Sequence, residues 1–187
     1  MLSFLAGLSR FKRDRRGVSA IEFAFIAPVM IGLYLGCVEI SDGVAADRKV
    51  GLVVDTLANL SSERTNITST EMANILNASS AIIAPYSAAN LTATVSCISI
   101  DKNGAATVAW SAATANGVPR AKGSSVTIPA ALANPSSQLL FGEASYAYTP
   151  IVGYTITGTL TLSDKMYMAP RISAPSYGDG TSAIPCT

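Results

Sequence analysis

The chain has 187 residues, 49% of them hydrophobic and 13% charged, with a formal net charge of +1 and no histidine. Once an apolar segment is set aside, that length leaves room for one domain of ordinary size. The missing histidine removes the commonest general base and the commonest metal ligand. The main basic cluster is stacked at one end rather than spread over a folded face, which argues against nucleic acid as a partner.

Residues 1–17 form a short basic leader, in which Arg10, Lys12, Arg13, Arg15 and Arg16 face Asp14 alone. From Val18 the sequence reads VSAIEFAFIAPVMIGLYLGCVEI, and Phe23 to Val38 carries no charge. As a helix, residues 18–40 would be about 34 Å long, enough to cross a hydrocarbon layer of about 30 Å. Basic residues before this run and mostly acidic ones after it (Glu39, Asp42, Asp47) orient it with its N-terminus in the cytoplasm. Residues 41–187 are then an extracytoplasmic α+β domain.

Helical spacing continues through Val44, Val50, Val53, Val54, Leu57 and Leu60, so the membrane helix is expected to run on outward. A second helix is expected over 70–84, started by Ser69 or Thr70 near Glu71 and stopped before Pro85. At Leu91 the period changes to two, predicting a strand through Cys97. Asp101-Lys102-Asn103-Gly104 supplies a tight turn, and Thr107 to Trp110 returns. Residues 112–142 read as a long connection with a short strand at Val126 to Ile128 and a helical turn around Gln138 to Phe141. Further strands are expected at Ala144 to Tyr148 and Tyr154 to Leu162.

Three residue sets carry functional content. Cys37 falls inside the apolar run, leaving Cys97 and Cys186 as the disulfide candidate of an oxidising compartment, a closure of about 90 residues worth roughly 4 to 5 kcal/mol in the chain-entropy model. Gly17 and Val18 mark the boundary between basic leader and apolar helix. Glu22 lies one helical turn beyond Val18, where an acid at the membrane edge costs about 1 to 3 kcal/mol unless paired. Ser19-Ala20-Ile21-Glu22 also fits a capping box, so Glu22 has both a structural and an interactive reading. Ser99 and Lys102 have S-x-x-K spacing but enter a hairpin turn rather than a helix start, which argues against catalysis.

The stretch Gly17 to Glu39, with Glu22-Phe23, Pro28-Val29 and Cys37-Val38-Glu39, resembles the TadE-like family of pseudopilins from tight adherence, or Flp, pilus assembly systems. Tyr146-Ala147-Tyr148-Thr149-Pro150 and Met168-Ala169-Pro170-Arg171 also resemble the tail of that family. Phe23 stands where Flp-type pilins usually carry tyrosine. The resemblance implies a pilin-like α+β fold in which a long N-terminal helix packs on a small antiparallel sheet of about four strands. It implies a single-pass protein of the bacterial inner membrane with its C-terminal domain periplasmic or extracellular.

A prepilin peptidase would cut between Gly17 and Val18, and the new amine at Val18 would meet Glu22 of a neighbouring subunit and set its register. Partners would be that peptidase, pilin and pseudopilin subunits, the inner-membrane assembly platform and membrane lipid, with no nucleic acid. No catalytic residue, cofactor or metal is expected, and the chain is read as not an enzyme. The alternative is a secreted periplasmic binding domain with residues 1–46 as signal peptide, cut after Val44-Ala45-Ala46. Against it stand an apolar region longer than 7 to 15 residues and the acids Glu39 and Asp42 before the cut.

Overall fold

The computed structural model describes residues 16–151 and 158–187. One uninterrupted helix, α1 (Arg16–Ser62), carries both the apolar run and the segment beyond it, with Pro28 inside. A two-residue strand β1 (Asn66–Ile67) leads to α2 (Ser69–Ile83), followed by β2 (Leu91–Ile100), β3 (Ala106–Ala113), β4 (Gln138–Tyr148), β5 (Leu160–Met168) and the short β6 (Ser176–Tyr177). The main sheet has the order β3-β2-β4-β5, with every pair antiparallel, while β1 and β6 form a separate parallel pair. A long helix on a small antiparallel sheet is the expected α+β architecture, with the expected four strands.

The outer half of α1 packs on the sheet through Ala46, Val50, Val53, Val54, Leu57 and Ala58, all fully buried. Their three- and four-residue spacing makes one apolar stripe. Val44, expected in this stripe, is exposed, and Ala46 takes the buried position one turn before Val50. Opposite the stripe stand Leu91, Ala93, Val95 and Cys97 of β2 and Leu140, Ala144, Tyr146 and Tyr148 of β4. At Gly142 the strand comes so close to α1 that a Cβ there would lie 3.1 Å from the Val54 carbonyl oxygen.

Helix α2 begins one residue earlier than expected. Thr68 is its N-cap: its hydroxyl accepts from the Glu71 amide at 3.2 Å, and the Glu71 carboxylate accepts from the Thr68 amide at 3.0 Å. The Thr68 amide, and then the Thr68 hydroxyl, which lies 3.0 Å from the same carboxylate oxygen, hold the Glu71 carboxyl below its ordinary value. At the other end, Lys49 Nζ of α1 donates to the Ile82 carbonyl, supplying the cation that the last turn of α2 lacks.

Three strand expectations are corrected. Gln138 to Phe141 is not a helical turn but the first part of β4, where Leu139 and Leu140 pair with Ile98 and Cys97. Leu140 enters the core beneath α1, while Leu139 and Phe141 enter a second cluster with Ile98, Ile100 and Ala106 on the opposite face. Burial on both faces removes the polar alternation that normally betrays a strand.

Val126 to Ile128 is not a strand. Ser125 bridges Thr107 and the Val126 amide donates to the Ala106 carbonyl, after which Val126 and Ile128 cover that second cluster. In the stretch expected as a strand from Tyr154 to Leu162, residues 154–157 lie outside the described residues, and β5 starts only at Leu160 and continues to Met168.

The C-terminal tail closes the domain. Cys97 and Cys186 form the expected disulfide, with a Cα–Cα distance of 5.9 Å and both residues buried. The Trp110 indole donates to the Pro175 carbonyl at 2.9 Å, and Tyr177 lies against its ring at 5.4 Å.

Candidate membrane and assembly interface

The N-terminal half of α1 projects from the domain as a bare apolar stem. Its most hydropathic window is wholly unburied, and this is the one helix among the described residues long and apolar enough to cross a membrane. Phe23 and Phe25 are 71% and 75% exposed, and Ile21, Ile26, Val29, Met30, Ile31, Leu33 and Tyr34 are exposed around them. Apolar side chains on all sides of a helix cannot be satisfied by one protein face in water, but hydrocarbon satisfies them all. The chain is therefore a membrane-anchored protein with a head domain on the outer half of the same helix.

The sequence-derived site residues lie at the start of this stem. Gly17 and Val18 are in the first turns of α1, and a Cβ built on Gly17 would meet nothing within 4 Å, so the fold itself makes no demand for glycine there. Glu22 is exposed on the helix surface, one turn from Val18. Ser19 lies within α1 (Arg16–Ser62), so it is an interior helical residue rather than an N-cap and the capping-box reading of Ser19 to Glu22 is not realised. No ion pair to Glu22 occurs among the described residues. Cys37 is an exposed free thiol on the stem.

Where the stem meets the head stands a tyrosine collar that the sequence alone does not announce. Tyr86, just after Pro85, donates its hydroxyl to the Asp42 carbonyl at 3.0 Å. Its ring lies 6.1 Å from that of Tyr146 and 6.4 Å from that of Tyr148. Burial, and then the nearby Asp42 carboxylate, push the Tyr86 and Tyr148 hydroxyls above the ordinary tyrosine value. The alternation Tyr146-Ala147-Tyr148 carried a signal for two of these rings. Tyr86 carried none, because its position depends on the turn after α2.

Beside the collar an apolar groove of about 490 Å³ runs between Gly36, Ile40, Gly43 and Val44 of α1 and Tyr148, Pro150, Leu160 and Leu162 of the head. On the far side of the sheet a polar groove of about 610 Å³ is lined by Thr92, Thr94, Ser145, Ser163 and Lys165. Its Glu143 carboxylate is held by a two-pronged bond from Arg120, at 2.6 and 2.7 Å. Ser99 ends in β2 and Lys102 in the hairpin turn, whose shape is set by Asp101 accepting from the Asn103 and Ala105 amides at 2.8 Å. No group of three or more Cys, Asp or Glu that could hold a metal occurs among the described residues.

Residues 17–56 match the family model described as TadE-like protein. The match covers the stem, including Gly17, Val18 and Glu22, and continues into the buried stripe. The Tyr146–Pro150 and Met168–Arg171 segments, which also resembled that family, lie outside it. No curated protein and no solved structure matches the chain.

Proposed function

We propose that this chain, TadE-like over its stem, is a pseudopilin of a tight adherence pilus system that works by helix contact rather than by catalysis. The observation that carries this reading is a single helix with two jobs: its inner half is apolar on every side and unburied, and its outer half is the spine of a disulfide-closed head. The N-terminus lies in the cytoplasm, because the basic leader precedes the stem, and the head lies beyond the inner membrane, where the disulfide can persist. Prepilin peptidase cuts between Gly17 and Val18, and the ammonium at Val18 of one subunit pairs with Glu22 of another pilin or pseudopilin stem at the assembly platform.

A signal-peptide cut after Ala46 fits less well. It would remove a fully buried residue of the core stripe and the Asp42 carbonyl that holds Tyr86.

The test is the intact mass and N-terminal residue of the protein isolated from membranes of its host. Val18 as first residue is expected. Asp47 in a soluble fraction would overturn the anchor and the helix-contact mechanism together, and Met1 would remove the amine that Glu22 is assigned to meet. In parallel, Glu22→Ala should leave the head folded and abolish piliation; normal pili in that variant would sink the pairing.

A further inference from the structure

We infer that the head has a second membrane contact of its own: the end of β4 and start of β5 dip into the outer leaflet, with lipid acyl chains filling the groove beside the stem. This inference rests on the membrane-anchored reading of α1.

The argument starts from direction. Along α1 from the outer end inward, Gly142 faces Val54 and Ala58, and Tyr148 faces Gly43. Strand β4 therefore runs antiparallel to α1, toward the membrane. Two residues beyond Tyr148, Pro150 lines the groove whose helix wall reaches inward to Ile40 and Gly36. Ile40 closes the stretch long enough to span the hydrocarbon, and Gly36 lies about 6 Å inside it along the axis. The head thus reaches past the level at which the bilayer begins.

The chemistry at that level suits lipid. Ile151, which follows the groove residue Pro150, is 89% exposed, and Leu160, which lines the groove, is 43% exposed; the opposite wall is continuous with the bare stem through Ile40 and Val44. In water this would be an unexplained apolar patch next to another; in the outer leaflet both are covered by one apolar phase. Tyr86 and Tyr148 sit at the level of Asp42 and Gly43, about 3 to 5 Å beyond Ile40, which is the headgroup depth that tyrosines of membrane proteins favour. Of the two acids that line the groove, Glu39 lies at the Ile40 boundary and Asp47 about 10 Å outside it, at the aqueous end. A head seated in this way fixes the stem's depth, since sliding α1 inward would bury Asp42 and then Asp47, and sliding it outward would expose Ile151 and Leu160.

The experiment uses the full chain carrying Cys37→Ser, with single cysteines Met30→Cys, Ile151→Cys or Ile172→Cys labelled with an environment-sensitive fluorophore. Each protein is placed in phosphatidylethanolamine–phosphatidylglycerol vesicles. Ile172 is an equally apolar exposed residue, next to Arg171, whose amide donates to the carbonyl of Ser62 at the far end of α1. The expected result is a blue shift and quenching by shallow spin-labelled lipid at position 151, deep quenching at 30, and iodide quenching alone at 172. Iodide quenching at 151 equal to that at 172, with 30 still quenched by lipid, would overturn the second contact and leave the anchor standing. Loss of lipid quenching at 30 would overturn the anchor and the contact together. Shielding of 151 from both quenchers would make the occupant a second protein chain and overturn the lipid assignment.

Discussion

Gly142→Val should destabilise the head by about 2 kcal/mol. A Cβ at this position already lies 3.1 Å from the Val54 carbonyl oxygen and 3.2 Å from its Cγ1, with the Ala58 Cβ at 3.6 Å. The two methyls of valine extend further toward a helix backbone that cannot rotate away. Overpacking of this kind costs about 1 to 3 kcal/mol and sometimes more, against which the better strand preference of valine returns less than about 1 kcal/mol.

For a head of this size each kcal/mol moves the midpoint by about 2 to 4 °C, so a fall of about 4 to 8 °C is expected. Trp110 is the single tryptophan and is buried, so its emission reports the transition in detergent-solubilised protein without labelling. Val54→Ala in the same chain should recover part of the loss relative to the sum of the two single changes, because it removes one of the two closest contacts. A midpoint equal to or above that of the unchanged protein would refute the close approach of α1 to β4, and with it the alignment that points the end of β4 toward the membrane.

Replacing both cysteines, Cys97→Ala with Cys186→Ala, should cost about 2 to 5 kcal/mol and free the tail that covers Trp110; an unchanged melt and unchanged resistance of the tail to protease would contradict this. Thr68→Ala should cost about 1 kcal/mol through loss of the α2 cap, read from the same tryptophan transition. Because the Glu71 carboxyl is held below its unfolded value of about 4.3, its contribution is present above that pH and is lost as pH falls through the lower folded value. Glu71→Gln should flatten that acid limb of a melting-point titration, and an identical limb in both proteins would remove Glu71 from the account.

Much of this molecule is local and was therefore readable. The stem needs only length, absence of charge and a basic flank, all properties of consecutive residues. The stripe from Val50 to Leu57, the hairpin at Asp101 to Gly104 and the alternation from Leu91 to Cys97 are periodic signals of the same kind. The cysteine pairing followed from elimination, since Cys37 belongs to the apolar run.

What the tertiary structure decided depends on residues far apart in the chain. Leu139 to Phe141 lost their alternation because loop residues Val126 and Ile128 return to cover their outer face, so no window of sequence could distinguish strand from turn. The tyrosine collar joins Tyr86, Tyr146 and Tyr148 to the Asp42 level of α1 across three elements, and the groove that Pro150 lines together with Gly36 and Ile40 exists only because β4 runs antiparallel to α1. Local periodicity specifies which face of an element is apolar; what covers that face, and at what height along the stem, is set by how the elements pack together.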